Sequence, residues 1–432
     1  MALRLPNPAK LLAVLAAFCV ALGVFMLVNR SPAQVGGGAP VDTPAAGRST
    51  DSQVRAYQAA VRARPGDPRG YSALAASYLQ KVRETGDPTY YPKAQGLLSH
   101  ALQLDPRSAD ALTGAGTLAL ARHDFRAGLA YGLRAHRAAP DLVEPYPVIV
   151  DAQVELGRYR DAARALQRMI DLKPTLAAYA RVSYFRELHG DLPGALQAMR
   201  LAVSAGGQAG ENVAYVQTLL GNLELQLGNV ASARMAYEGA LARFPSYVPA
   251  LAGLARTDVA RGRLVSAIRR YRRVVARLPL PEYVIGLGET ELVAGRAAQA
   301  RRHFALVDAE QRLLAANGVN TDVELALFQA DHGDSGRAVE LARRAWAQAP
   351  SVRAADSLGW ALTRSGRPGE GLRWARRALV LGSRDPTFLY HAGLTAKAAG
   401  RPALARHLLR GALAGRGALS ALAARRTEAA LR

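Results

Sequence analysis

Histidine and cysteine are the residues whose spacing most directly reveals acid–base or metal chemistry. The eight histidines of this chain are scattered, and none forms a His-Glu-x-x-His pattern or another zinc spacing. They are His100, His123, His136, His189, His303, His332, His391 and His407. The single cysteine, Cys19, can form neither an intramolecular disulfide nor a site with several cysteine ligands. We therefore predict solvated or capping histidines and no metal site.

Glycine-rich loops and nucleophile motifs give equally little sign of catalysis. Gly114-Ala115-Gly116 begins like a dinucleotide-binding loop, but that motif needs a preceding strand, and these glycines lie inside a predicted helix. The chain has no Gly-x-Ser-x-Gly elbow and no phosphate-binding loop. We predict that the protein is not an enzyme and needs no cofactor.

Proline and glycine recur at intervals close to 34 residues. Pro106, Pro140 and Pro174 are each 34 apart, and a proline there ends a helix. A second series is followed each time by Arg, Asp or Asn: Gly157, Gly190, Gly228, Gly262, Gly295, Gly333, Gly366 and Gly400. Glycine at these places supplies the positive φ that ends the first helix of a pair.

Small residues occupy two fixed positions relative to each of these glycines. Five residues after it stand Ala162, Ala195, Ala233, Ala267, Ala300, Ala338, Gly371 and Ala405. Seven residues before it stand the mostly small Val150, Ser183, Gly221, Ala255, Gly288, Ala326, Gly359 and Gly393. Small side chains at both places predict that the two helices of a pair pack closely.

This pattern resembles the tetratricopeptide repeat, a 34-residue helix–turn–helix with small residues at two positions and a proline near its end. The resemblance implies an all-α solenoid of about ten helix pairs forming a right-handed superhelix over residues 51–417. Residues 418–432 are predicted to form a capping helix over the last pair. The fold also implies a protein-binding scaffold, since tetratricopeptide solenoids are typically adaptors.

In tetratricopeptide folds the first helix of each pair lines the concave groove. Carried over to this chain, that geometry predicts a groove with aromatic, acidic and amide side chains, suited to an extended peptide or a helix. The predicted partner-binding residues are Asp151, Tyr184, Glu187, Tyr215, Thr218, Asn222, Arg256, Glu289, Trp360 and Tyr390.

A strongly basic composition, with a net charge of +22, favours anionic partners. Arginines on predicted second helices form a stripe on the convex face, comprising Arg134, Arg168, Arg269, Arg270, Arg273, Arg344 and Arg377. Such a stripe is either a solvated face or a contact for anionic lipid or an envelope polymer. Few aromatic residues interleave with the arginines, so nucleic acid is not expected.

The N-terminal residues 1–30 contain an uncharged run, Leu11 to Val28, that would span about 27 Å as a helix, close to the hydrocarbon thickness of about 30 Å. Its length favours an uncleaved membrane anchor over a cleaved signal peptide, after which the protein would be secreted. Arg4 and Lys10 precede the run, which predicts extracytoplasmic repeats on a single-pass protein of the cytoplasmic membrane. Residues 31–50 are rich in Gly, Pro and Ala and are predicted to form a flexible linker.

Two functions are consistent with these features. The first is a membrane-anchored, non-catalytic scaffold that holds a protein in its groove. The second is an accessory subunit of an envelope enzyme or transporter complex.

Overall fold

A computed structural model describes residues 49–207 and 210–432, which fall within one compact unit, Pro44–Arg432. The predicted membrane anchor, and the predicted linker up to residue 48, lie outside the described residues. Every regular element in the described part of the chain is helical. A lone helix, α1 (Thr50–Ala63), precedes the helix pairs, and Ser49 caps its N-terminus.

Ten helix pairs follow, as the repeat spacing predicts. The first helices of the pairs are α2 (Pro68–Thr85), α4 (Ala109–Ala121), α6 (Tyr146–Glu155), α8 (Leu176–Leu188), α10 (Gly210–Gln226), α12 (Val248–Ala260), α14 (Pro281–Val293), α16 (Asp322–His332), α18 (Val352–Arg364) and α20 (Pro386–Ala398). The second helices are α3 (Tyr90–Leu104), α5 (Phe125–Ala138), α7 (Tyr159–Leu172), α9 (Leu192–Ala205), α11 (Val230–Arg243), α13 (Leu264–Arg277), α15 (Ala297–Ala316), α17 (Ser335–Gln348), α19 (Pro368–Ala378) and α21 (Pro402–Ala414). A 3-10 turn (Arg416–Ala418) and α22 (Ala421–Leu431) end the chain.

Close packing within the pairs depends on the small residues, as predicted. The alanines of the second helices, such as Ala233 and Ala267, are fully buried. The ring of Tyr237 on α11 lies against Gly221 of its own pair and Gly253 of the next, where added methyl groups would collide with it. Tyr237 is itself fully buried, so glycine on the first helices makes room for an aromatic ring on the second.

The turns between paired helices follow the glycine prediction with one exception. Seven of the eight glycines have φ between +70° and +80°. Gly333 instead has φ of −135°, because α16 continues to His332 immediately before it. At the other turns the residue after glycine donates its N–H to a carbonyl five residues earlier, as Arg158 does to Gln153. At Gly333 the side-chain Oε1 of Gln329 accepts the N–H of Asp334 in its place, at 2.9 Å.

His123 takes the glycine's place in the turn between α4 and α5. Among the residues that the structure describes, it is the one non-glycine residue with a positive φ, which is 59°. Its Nδ1 lies 2.6 Å from the carbonyl oxygen of Asn320, which lies between the seventh and eighth pairs. This contact offsets the strain of a left-handed backbone in a residue with a side chain.

Successive turns of the superhelix contact one another along their edges. Gly157 packs on the carbonyl of Pro350, and Gly190 packs on the carbonyl of Gly382. The two contacts join residues that are 193 and 192 positions apart in the sequence. The Tyr159 hydroxyl accepts the N–H of Val352 at 2.8 Å. The chain therefore coils tightly enough for the turn of the third pair to touch the junction between the eighth and ninth pairs.

The C-terminal helix covers more than the last pair. Besides α20 and α21 it packs against α14, and Arg426 reaches Asp331 of α16 at 2.6 Å. Ala424 shares a buried cluster with Trp360 and Tyr390. The helix thus fills the space between first helices of four different pairs.

Replacing Gly157 by Ala should weaken this inter-turn contact. A methyl group there would collide with the Pro350 carbonyl, whereas none of the described atoms lies within 4 Å of one at Gly366. Both variants introduce left-handed strain of about 1–2 kcal/mol, so Gly366→Ala is the matched control. We expect Gly157→Ala to lose about 1–3 kcal/mol more free energy of unfolding than Gly366→Ala, as measured by urea denaturation. Its radius of gyration in small-angle scattering should also be larger. Equal losses and equal radii for the two variants would contradict the proposed contact.

Candidate ligand-binding chamber

A chamber of about 610 Å³ lies along the inner side of the solenoid. Its walls come from first helices of the earlier superhelical turn, including Tyr184 on α8 and Tyr215 on α10. The N-terminal ends of later first helices complete it, with Glu324 on α16, Arg353 on α18 and Asp385 before α20. The inter-turn contacts therefore add a second wall to part of the groove.

Two arginines in the chamber hold three of its carboxylates. Arg181 binds Asp151 through Nε and Nη2, at 2.8 and 2.6 Å. Arg353 bridges the two turns, since its guanidinium lies 3.9 Å from Glu155 and 3.3 Å from Glu324. Burial raises the pKa of Glu155, although Arg353 opposes that shift.

Asn222 joins the chamber to the core beneath it. Its Oδ1 accepts the Tyr237 hydroxyl at 2.7 Å and Nη1 of Arg256 at 3.0 Å. Arg256 is thereby fixed against the wall by a neutral partner, and its charge is not neutralised by an ion pair with any described residue.

Glu187 and Asp385 are the chamber's remaining acids. Burial raises the pKa of Glu187 to about 7, against the opposing hydrogen bond from Gln226, whose Nε2 donates to it at 2.6 Å. Burial also raises the pKa of Asp385, although its Oδ1 accepts the N–H groups of Thr387 and Phe388. Neither carboxylate forms an ion pair with a residue of the described part.

Six of the ten predicted groove residues line this chamber: Asp151, Tyr184, Glu187, Tyr215, Asn222 and Arg256. That they bind a partner remains a prediction. Tyr215 is 47% exposed, although it is a large aromatic residue. Neither its hydroxyl nor that of Tyr184 has a hydrogen-bond partner among the described residues.

The predicted orientation toward an open groove is wrong for the other four, which are buried: Thr218, Glu289, Trp360 and Tyr390. The Thr218 hydroxyl donates to the carbonyl of Ala214 within its own helix. Glu289 contacts His332 at 2.9 Å. Trp360 and Tyr390 share a buried cluster with the C-terminal helix.

Sequence patterns missed several chamber residues because the superhelical turn brings them together. Glu155 and Arg353 are almost 200 residues apart, and the repeat pattern does not show which pairs meet across a turn. Asp385 could have been noticed as a helix N-cap, but that role alone does not place it in a cavity. Gln226, near the end of α10, carried no signal.

The predicted convex arginines all lie on second helices, and six of the seven are exposed. Arg270 is half-buried and pairs with the buried Asp258 at 2.8 Å. Arg344 pairs with Asp322, and Arg377 lies 4.6 Å from the ring centre of Trp346. Part of the stripe is therefore engaged within the protein, and contact with lipid or polymer remains a prediction.

Sequence comparison identifies two segments of the solenoid. A tetratricopeptide-repeat model matches residues 148–210, and another matches residues 224–284. The chain contains tetratricopeptide repeats. Among the first helices that line the chamber, the two segments include α8 and α12 and most of α6, whereas most of α10 lies between them. A search of curated proteins finds no match to the chain.

Several solved structures are similar to this chain over part of its length. A tetratricopeptide protein of Thermus thermophilus, TTC0263, is 19% identical, covers 43% of this chain and 98% of its own, and has a TM-score of 0.38. Human IFIT1, solved as a dimer with m7Gppp-AAAA, is 14% identical with a TM-score of 0.47, covering 73% of this chain and 72% of its own. YrrB, a tetratricopeptide protein described as having an unusual peptide-binding site, is 20% identical with a TM-score of 0.28, and the match covers 46% of this chain and 97% of YrrB.

Residues 49–207 and 210–432 include no helix with the length and apolar character needed to cross a membrane. The same residues contain no group of three or more His, Cys, Asp or Glu side chains suited to a metal ion.

Glu187 should make stability depend on pH near neutrality. Its pKa is about 7 in the folded protein and ordinarily 4.5, so the folded state binds the proton more tightly. The resulting stabilisation is present below about pH 4.5 and is lost as the pH rises through about 7. Relative to the wild type, Glu187→Gln should therefore gain free energy of unfolding between about pH 5 and pH 8. A constant difference in urea denaturation over that range would contradict the assignment.

Proposed function

We propose that the protein is a non-catalytic scaffold that binds an extended segment of a partner protein in the chamber. The observation that carries this proposal is the cavity of about 610 Å³ with an exposed aromatic side chain, Tyr215, on its wall. Exposed aromatics flanked by fixed polar groups are the usual centres of binding energy at protein interfaces. The tetratricopeptide repeats support the same class of function.

The size of the chamber favours an extended segment. Ligand sites commonly enclose about 300–1,000 Å³, and this one cannot accommodate a folded domain. Its wall carries charged groups from several first helices, among them Asp151 on α6 and Arg256 on α12. Such an arrangement fixes the register of a chain that runs along the superhelix axis.

The N-terminal segment supports a location for this scaffold. We propose that the uncharged run of residues 11–28 anchors the protein in the cytoplasmic membrane with the repeats outside the cytoplasm. A partner that is itself a membrane complex would make the protein an accessory subunit of that complex.

A second candidate function is contact with an anionic surface through the convex arginines. Trp346 and Trp374 lie together on α17 and α19, 4.8 Å apart, with Arg377 beside both rings. Tryptophan and arginine side by side are typical of surfaces that contact lipid headgroups. Several other convex arginines are also exposed, among them Arg269 and Arg273.

The two candidates can be separated with a matched pair of double variants. Tyr215→Ala with Arg256→Ala removes chamber contacts, whereas Arg269→Ala with Arg273→Ala removes convex charge. Arg270 is kept in both, because its loss would leave the buried Asp258 without its cation. For a partner captured with the full-length chain, the chamber variant should weaken binding by at least about 2 kcal/mol, with unchanged helicity.

The convex variant should bind that partner with an unchanged Kd at physiological salt. If it abolishes binding and the chamber variant does not, the scaffold proposal is wrong and the anionic-surface function takes its place. Titration calorimetry gives both affinities.

A further inference from the structure

The chamber has a charge opposite to that of the protein around it. Its lining contains five carboxyl and three guanidinium side chains, a formal charge of −2 when every carboxyl is ionised and histidine is neutral, in a chain of net charge +22. The five acids are Asp151, Glu155, Glu187, Glu324 and Asp385, and the three bases are Arg181, Arg256 and Arg353. An acidic interior in a basic protein attracts a cation into the site and excludes anions.

Two of the five acids, Glu187 and Asp385, have no cation within ion-pair distance among the described residues. Arg181 pairs with Asp151, and the single guanidinium of Arg353 serves both Glu155 and Glu324. The charge of Asp385 also contributes to the raised pKa of Arg353, from beyond ion-pair distance. Glu187 and Asp385 accept hydrogen bonds from neutral donors only, within the described residues. The charge of Asp385 also contributes to the raised pKa of Glu187, so the two carboxylates lie close enough to repel each other.

An acceptor beside Glu187 lacks a donor. Because Nε2 of Gln226 donates to the Glu187 carboxylate at 2.6 Å, the orientation of the amide is fixed, and Oε1 must be the other end. That oxygen is buried and has no hydrogen-bond partner among the described residues. A buried acceptor left without a donor is costly, and a donor group on a ligand would relieve that cost.

The wall adds an aromatic face. Tyr184 lies one helical turn before Glu187 on α8, and both line the chamber. A tyrosine ring attracts a cation, and a planar guanidinium also stacks on it. The site thus combines two carboxylates, a carbonyl oxygen and a ring, which suits a planar cation with several N–H donors better than a compact ammonium.

Resting on the proposed function, we propose that the chamber selects its partner segment by one arginine side chain, bound by Glu187, Asp385 and Gln226 against Tyr184. The arginine supplies the positive charge and the donors that these acceptors lack. The occupant is then an extended segment that carries a cationic residue flanked by uncharged ones. Acidic residues in the segment would be repelled by the carboxylates of the chamber.

The test uses random dodecapeptides displayed on phage and selected on the full-length chain. Selected peptides are then synthesised with arginine, or with citrulline, which has the same shape without the charge. We expect arginine peptides to bind at least about tenfold more tightly than their citrulline forms, because only arginine carries the charge that strengthens its hydrogen bonds to the two acids. The variant Glu187→Gln with Asp385→Asn should reduce that ratio to about twofold or less.

Asparagine caps a helix as well as aspartate does, so α20 should keep its N-terminus in this variant. Glu238→Gln, an exposed change of charge on α11, is the control and should keep the full ratio. Thermal melts and circular dichroism confirm folding of all variants.

Equal binding of the citrulline forms to the wild type overturns the inference, as does discrimination that survives in the double variant. If those peptides still bind the variant Tyr215→Ala with Arg256→Ala more weakly than they bind the wild type, the chamber remains the binding site and only its selectivity for arginine is refuted. If chamber variants bind every selected peptide normally, the proposed function itself falls. Recovery of no peptide, or equally tight binding of free acetyl-arginine methylamide, refutes a peptide occupant.

Discussion

The contact between successive superhelical turns is the constraint on which the rest of the structure depends. Gly157 and Gly190 bring the turns of their pairs onto carbonyl groups nearly 200 residues later, where a side chain would collide. Arg353 and Tyr159 join the same edges by polar contacts. Without this approach the first helices would line an open groove. With it, helix N-termini of the later turn form part of the wall of a chamber.

The helix pairs could be predicted from the sequence because their determinants are local. A positive-φ glycine and a small residue five positions later each act within one pair, and the spacing repeats at every pair. The exceptions are places where another side chain takes over a backbone role. At Gly333 the side chain of Gln329 takes the place of a backbone carbonyl acceptor. At His123 a hydrogen bond to Asn320 in the next superhelical turn stabilises a positive φ that elsewhere requires glycine. The repeat pattern shows neither of these two exceptions.

The chamber could be predicted only in part, for a reason of geometry. The repeat register predicts which face of each first helix is the inner one. Asp151 and Tyr215 do line the chamber, whereas Thr218 and Glu289 are buried. It does not contain the pitch of the superhelix, so it could not bring Arg353 to Glu155. It also could not show that the C-terminal helix packs against α14 as well as the last pair and buries Trp360. Pitch results from the summed packing of many pairs, to which each repeat contributes a small rotation.

The inter-turn contact also has a consequence for how the site would work. It holds Asp385 of the later turn and Glu187 of the earlier turn in one chamber before any segment binds. A preformed site loses less conformational entropy on binding, which raises the affinity. Water still reaches this wall, because Tyr215 is 47% exposed. An ion pair there is therefore weaker than a fully buried pair, and selectivity for arginine depends on the number and arrangement of the acceptors as well as on charge.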